Sequence, residues 1–383
     1  MLKILIVSSY FGNVIGGALN FIKELALELT VRGHSVYLLL DDRYKNLFSE
    51  KEFNIIWFSS AKITYYSPSI SFLKIIAKID VDIIHLNGYL SFQTDFGALV
   101  GFLRKIPIIL TPHGSLLGYD YLYDSFLSKL PYRLHDLLTL KLPAKISKYI
   151  IPTSQAEFKD CVKFGINKNK IRKIPISFSP ILHLSLEKKN SIKKIKILFV
   201  GRIVPLKNLD VILKSIQIIK NDIPDIEFII VGDEVKGRLY GDLGYKKQLE
   251  SLIKSLDITE NVQFVGWKTH DDLWKIYRDS DLFVFASIYE NFGLPLLEAA
   301  YFGLPLISTD VGIASELIDE NNGGEIILEL KPEKFAKSIL KILLDKKAYD
   351  DASKHIRSNA CNFSIKFIAD KYEEIFEDIS QIE

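Results

Sequence analysis

The sequence predicts an α/β protein with two doubly wound parallel-sheet domains in tandem. Three observations lead there. Short β-rich runs alternate with helical patterns from the first residues onward. The alternation breaks at a polar, basic stretch, 185–196, and then restarts with a fresh apolar strand. The chain has 383 residues, too many for one ordinary core and suited to two or a large one.

In chain order, Lys3 to Ser8 has the continuous apolar character of a buried parallel strand. A glycine-bearing loop with Gly12, Gly16 and Gly17 follows. From Ala18 to Arg32 the apolar residues Leu19, Ile22, Leu25, Ala26 and Leu29 recur at helical spacing, and Gly33 is the expected C-cap. Strands are expected at Val36–Leu40, Asn54–Phe58, Asp82–Leu86, Ile106–Leu110 and Tyr149–Pro152. After the polar stretch they are expected at Ile195–Val200, Glu227–Val231, Val262–Val265, Leu282–Ala286 and Pro305–Ser308, with a helix from about Asn208 to Lys220. The expected domains are 1–184 and 195–360, followed by a helical stretch, 361–383, with the first domain as a candidate partner.

Composition narrows the function. A net charge of +2 argues against binding nucleic acid along the whole surface. Cys161 and Cys361 stand far apart and outside any CxxC pair, so neither a zinc site nor a disulfide framework is expected. A reducing, cytoplasmic compartment is the simplest expectation. Met1-Leu2-Lys3 leads into a run too short for a signal peptide or a membrane span, and no later apolar stretch is long enough.

In doubly wound sheets, ligands bind beyond the carboxyl ends of the strands. The residues of interest lie there. After the strand Leu282–Ala286 comes Glu290-Asn291-Phe292-Gly293-Leu294-Pro295, and Glu298 lies further on, in the helix. Gly293 permits close backbone approach, and Pro295 suits a first helical turn. Backbone N–H groups at 291–294 would then be free to hold phosphate. Glu298 suits paired ribose hydroxyls, and Glu290 suits sugar hydroxyls. After Ile195–Val200 comes Gly201-Arg202, with Lys207-Asn208 five residues further on. Two cations in one such loop can grip a diphosphate and stabilise the charge it gains on leaving.

With these segments in view, the chain resembles the retaining glycosyltransferases of family 4, the "glycosyl transferases group 1", which have the GT-B fold. The resemblance rests on Glu290-x7-Glu298, on residues 299 to 312 after it, and on Gly201-Arg202 through Lys207-Asn208. It also rests on Val231-Gly232-Asp233, Gly16-Gly17 and Thr111-Pro112-His113-Gly114. It implies two Rossmann-like domains facing a cleft and a nucleoside-diphosphate sugar as co-substrate, with no cofactor and no metal. Arg202 and Lys207, with Gly16, Gly17, Gly293 and Leu294, would bind the donor diphosphate, and Glu298 the ribose. Glu290, Asn291, Phe292 and Gly293 would hold the transferred sugar, and His113 and Glu290 are the catalytic candidates. The acceptor is expected to be a glycan or lipid-linked molecule in cell-surface or protein-linked glycan assembly. Ile313 after Gly312, and a long loop at 237–245, depart from the family pattern.

Other readings are weighed beside this one. A nicotinamide-dependent oxidoreductase would share the opening strand, loop and helix, but the loop lacks GxGxxG. A sugar-nucleotide epimerase or phosphorylase would share the architecture, and a non-catalytic sugar-binding partner would not need the intact motif set. Asp80-Val81-Asp82 and Asp279-Ser280-Asp281 have a metal-binding spacing but precede their strands, so a structural role is expected. His85 ends a strand and suits a buried, hydrogen-bonded histidine as well as a ligand. The stretch 119–148 combines Tyr119, Tyr121, Tyr123, Phe126 and Tyr132 with five cations. It is read either as a solvated face or as a peripheral contact with the inner face of the cell membrane.

Overall fold

The computed structural model describes residues 1–9, 17–48, 52–61, 66–123, 125–178, 194–235, 243–319 and 322–381. They form two α/β units, 1–177 with 363–383 and 178–362. The first sheet holds β1 (Lys3–Ser8), β2 (Ser35–Asp41), β3 (Asn54–Phe58), β4 (Ile83–Asn87), β5 (Ile108–Thr111) and β6 (Tyr149–Ile150). Its strand order is β3-β2-β1-β4-β5-β6, all parallel. The second holds β7 (Lys196–Val200), β8 (Glu227–Val231), β9 (Val262–Gly266), β10 (Leu282–Phe285), β11 (Leu306–Thr309) and β12 (Gly324–Ile327). Its order, β12-β11-β10-β7-β8-β9, repeats the first. In both, the chain starts at a central strand, builds outward one way and then the other. The reversal opens a crevice at the strand ends, between β1 and β4 and between β7 and β10.

The sequence accounts for much of this locally. Ile4 to Val7 and Ile197 to Phe199 are buried because helices cover both sheet faces. The helix Gly17–Val31 buries the apolar stripe of Leu19, Ile22, Leu25, Ala26 and Leu29. Gly33 closes it at φ +93°, while the His34 N–H donates to the Leu29 carbonyl at 3.1 Å. The helix Ile365–Ser380 belongs to the first unit and packs on Gly17–Val31. There Arg32 pairs with Asp370 at 2.6 Å and Glu373 at 2.5 Å.

Several features differ from the sequence reading. The edge strand β12 was not anticipated, because Gly-Glu-Ile-Ile is short and half-polar. Its backbone decides it: Gly324, at φ +146°, lies so close to β11 that a Cβ would stand 1.8 Å from the Leu306 carbonyl oxygen. Within 119–148, most of the tyrosines turn inward. Tyr119 stacks on Tyr132 with ring centroids 5.0 Å apart, and Tyr123 and Tyr132 share a 3.0 Å hydrogen bond. The aspartate pairs serve strand starts. Asp82 accepts from the Lys3 N–H at 2.7 Å, and Asp281 from the Lys196 N–H at 2.8 Å. The linker expected at 185–196 lies outside the described residues up to 193, and so does 236–242 in the long loop after β8.

Candidate functional site

In the second unit the crevice between β7 and β10 is bordered by residues 201–208 and 286–294. The two loops are tied together by the backbone. Asn208, held at φ +47°, donates from Nδ2 to the Ala286 carbonyl at 3.0 Å, and the Ile288 N–H donates to the Leu206 carbonyl at 3.1 Å. The Thr309 hydroxyl donates to the Ser287 carbonyl at 2.5 Å, which adds the end of β11. Gly201 is pinned from the other side. A Cβ on Gly232 would lie 1.9 Å from the Gly201 carbonyl oxygen, so Val231-Gly232-Asp233 owes its glycine to this approach. The Ile203 N–H closes the contact with a 3.0 Å bond to the Asp233 carbonyl.

Into this frame project Lys207 and Glu290, which form an ion pair. Lys207 is 5% exposed, and its ammonium lies 4.8 Å from the centroid of the Phe285 ring. Burial, and then the Arg202 guanidinium, push the Lys207 ammonium down to about 7. The Glu290 carboxylate in contact opposes that shift and favours the charged form.

Gly293, at φ +83°, is the N-cap of the helix Leu294–Tyr301, and Pro295 lies in its first turn. The N–H groups of Gly293 and Leu294 have no partner among the described residues. Gly312 supports this turn from behind: a Cβ there would meet the Phe292 carbonyl oxygen at 2.1 Å, and the Ile313 N–H bonds that oxygen at 2.9 Å. Asn291 and Phe292 complete the loop. Glu298, 8% exposed, accepts a 2.6 Å hydrogen bond from the Tyr277 hydroxyl. Burial raises its carboxyl to about 7, against the opposing effect of that bond. Tyr277 is held parallel to Phe302, 3° between ring planes.

In the first unit, His113 follows β5 in the left-handed region, φ +52°. Its Nε2 pairs with Asn87 Oδ1 at 2.9 Å at the end of β4, while Nδ1 is buried without a hydrogen-bond partner. Burial lowers its imidazole to about 4, so it is neutral at neutral pH. His85 is buried and bonds the Thr111 hydroxyl at 2.8 Å. The next residue after His113, Gly114, donates its N–H to Glu157, which also takes the Thr153 N–H at 2.6 Å and hydroxyl at 2.9 Å. Gly17 opens the helix after β1, and Gly16 lies outside the described residues.

The structure thus brings Arg202, Lys207, Glu290, Asn291, Phe292, Gly293, Leu294 and Glu298 beyond the carboxyl ends of the central strands β7 and β10, while Gly17 and His113 belong to the other unit. Sequence reading missed Tyr277, Asn87 and Glu157. Ser154-Gln155-Ala156-Glu157 does carry a capping-box signal, and the Ser154 hydroxyl accepts from the Glu157 N–H at 3.1 Å. Nothing in that pattern tells that the carboxylate is spent on Gly114. Tyr277 has no sequence signal beyond a place on an amphipathic helix.

Comparison with known proteins follows the same division. The profile of the family described as Glycosyltransferase Family 4 matches residues 15–177, and that of Glycosyl transferases group 1 matches residues 185–359. The chain is 27% identical over 324 residues to an Escherichia coli UDP-Gal:alpha-D-GlcNAc-diphosphoundecaprenol alpha-1,3-galactosyltransferase, covering 81% of this chain and 79% of that one. It is 26% identical over 333 residues to the phosphatidylinositol N-acetylglucosaminyltransferase subunit of Saccharomyces cerevisiae, covering 82% and 70%. Among solved structures, Anabaena HepE in complex with UDP and glucose superimposes with a TM-score of 0.77 at 19% identity, covering 99% of this chain and 100% of that one. That likeness shows the fold. The chain belongs to the glycosyl transferases group 1, family 4, and is a glycosyltransferase of GT-B fold.

Proposed function

We propose that the enzyme moves a hexose or N-acetylhexosamine, with retention at the anomeric carbon, from a nucleoside-diphosphate sugar to a glycan or lipid-linked acceptor. The observation that carries this reading is the buried Lys207–Glu290 pair at the β7/β10 crevice, with Glu298 on the helix that follows. Arg202 and Lys207 bind the diphosphate, together with the N–H groups of Gly293 and Leu294. Glu298 receives the ribose hydroxyls on the oxygen that Tyr277 leaves open. Glu290, Asn291 and Phe292 hold the sugar. In this reading Gly16 and Gly17 are assigned to the diphosphate and a neutral His113 to a sugar hydroxyl.

In the transfer, the bond from the anomeric carbon to the diphosphate oxygen breaks, and the acceptor hydroxyl attacks from the same face. Its proton passes to the departing phosphate oxygen. Fixed cations stabilise the leaving charge more than the ground state, which is what raises turnover. These two cations make a divalent metal unnecessary in this reading. The names of the E. coli relative and the Anabaena complex support a uridine diphosphate donor. Peripheral contact with the inner face of the membrane through 119–148 would suit a lipid-linked acceptor.

A thermal-shift panel of uridine, guanosine and adenosine diphosphates and their sugars, with and without magnesium, tests the reading. A ligand at a hundred times its Kd adds roughly 2.7 kcal/mol of apparent stability. The expected result is a shift with one base, independent of magnesium. A shift only with magnesium would overturn metal independence, and no shift with any nucleotide would overturn the donor assignment.

A further inference from the structure

The helix Phe126–Leu138 is amphipathic with its faces reversed. Three of its polar residues, Lys129, His135 and Asp136, face the first unit. The Lys129 ammonium donates to the Asp120 carbonyl at 3.1 Å, His135 Nε2 pairs with Asp95 at 2.9 Å, and Asp136 accepts from the Tyr89 hydroxyl at 3.0 Å. Its apolar positions, Phe126, Leu127, Leu130, Leu134, Leu137 and Leu138, face solvent, with Leu127 and Leu138 each 74% exposed. No residue of this helix is buried. A surface helix ordinarily does the opposite. Turning it over would leave Tyr89 and Asp95 without these partners, so the polar contacts commit the leucines to the outside. An exposed apolar stripe along a helix roughly 20 Å long marks an interaction surface.

Charge identifies the occupant. Between 125 and 148 lie Lys129, Arg133, Lys141, Lys145 and Lys148, against the single acid Asp136, whose carboxylate is engaged inward; Asp120, just before the helix, pairs with Lys129 at 3.7 Å and with Arg133 at 3.9 Å, which leaves the Arg133 side chain half exposed. Arg133 lies over the Phe126 ring at 5.4 Å, beside the stripe, and Lys145 is exposed beyond its end. A second copy docked on this face would set cations against cations. Anionic headgroups over a hydrocarbon layer match both the leucines and the cations. Among the described residues no helix is long and apolar enough to cross a membrane, so the contact lies in the interface plane. We infer that Phe126–Leu138 is a docking helix for an anionic phospholipid surface, with its leucines in the acyl boundary and Arg133 and Lys145 at the headgroups. This rests on the membrane contact in the proposed function and replaces the tyrosines with the leucines as its agents.

Flotation of the full chain with vesicles tests it, using phosphatidylcholine mixed with phosphatidylglycerol and phosphatidylcholine alone. The expected result is binding to the mixed vesicles and much weaker binding to the neutral ones. The triple variant Leu127→Ser/Leu134→Ser/Leu138→Ser should lose at least about tenfold in partitioning, since each leucine removed forfeits burial in the acyl region. Arg133→Glu/Lys145→Glu should abolish the preference for anionic vesicles. All variants should keep their melting temperature, because the changed side chains are exposed. Hydrolysis of the donor sugar in lipid-free buffer should be unchanged in the triple variant. Vesicle binding without any donor hydrolysis would sink the transferase details and leave this inference standing. No vesicle binding by the unaltered chain, or full binding by the triple variant, would overturn it. So would a dimer in solution that the triple variant dissociates, which would assign the stripe to a second copy.

Discussion

Lys207 and Glu290, 83 residues apart in sequence, meet as a buried ion pair where the ends of β7 and β10 adjoin. Each side chain comes from a loop that the other loop's backbone holds in place, so the pair is a property of the sheet reversal rather than of either segment.

Lys207→Ala should lower turnover by about a hundredfold or more, as loss of a fixed group facing developing charge does elsewhere. It should also cost about 3 kcal/mol of stability, since it strands a partly buried carboxylate. Denaturant titration of Lys207→Ala, Glu290→Ala and the double variant checks this. The double variant should be more stable than the sum of the singles predicts. Strict additivity would show that the two groups do not interact.

Glu24, Glu157 and Glu298 all have carboxyls raised to about 7, chiefly by burial. In the folded state they hold protons that the unfolded chain releases from about 4.5 upward, so each contribution is full at low pH and is lost as pH rises toward 7. Relative to the unaltered protein, Glu298→Gln should therefore gain stability between pH 5 and 7.5, at up to about 1.4 kcal/mol per pH unit. Urea unfolding at a series of pH values reads the difference. A constant difference would mean that Glu298 is ionised throughout. The same variant should weaken nucleoside diphosphate binding at every pH.

His113 and His85 are lowered to about 4 and about 3, in each case first by burial. Both should stay neutral down to pH 5 in nitrogen-correlated NMR spectra. An unfolded histidine takes up a proton near 6.5, so this contribution to stability is present above that value and is lost as pH falls through 4. Titration of the His113 ring near pH 6.5 would contradict its burial. His113→Ala should cut turnover while leaving nucleoside diphosphate affinity within about twofold, because uniform ground-state binding is not what it supplies.

Gly232→Ala should be among the most damaging single-methyl changes in the second unit. Its φ of +133° is costly for alanine, and the new Cβ would overlap the Gly201 carbonyl oxygen at 1.9 Å. A loss above about 4 kcal/mol, or failure to fold, is expected from combined strain and displacement. If Gly232→Ala folds with its stability intact, the two loops are not in this contact.

Much of the fold was legible because it is written in short-range pattern. Continuous apolar runs marked β1, β3, β7 and β8 within about a residue, and helical spacing with a closing glycine marked the helix Gly17–Val31. The edge strand β12 was not legible. Its pairing depends on the missing side chain of Gly324 beside β11 and not on its own hydrophobicity. At the site, Arg202, Lys207, Glu290 and Glu298 stood out because they follow strands. Tyr277 and Glu157 did not, since each acts on a residue more than twenty positions away. The tyrosines of 119–148 drew attention as surface aromatics, yet the outward side of the helix Phe126–Leu138 belongs to leucines. Aromatic content says nothing about which face a helix turns inward.

By itself the sequence determined two doubly wound α/β domains and the loops at their strand ends that carry the family's motifs. Periodicity and strand-end position are local quantities, and the local backbone obeys them. Only the tertiary structure decided that Lys207 is paired with Glu290, that Glu298 leans on Tyr277, that Glu157 fixes the His113 loop, and that the leucines of Phe126–Leu138 face outward. Those outcomes depend on burial and on partners brought in from distant strands. Desolvation shifts a charge or turns a helix only once the neighbours that exclude water are in place.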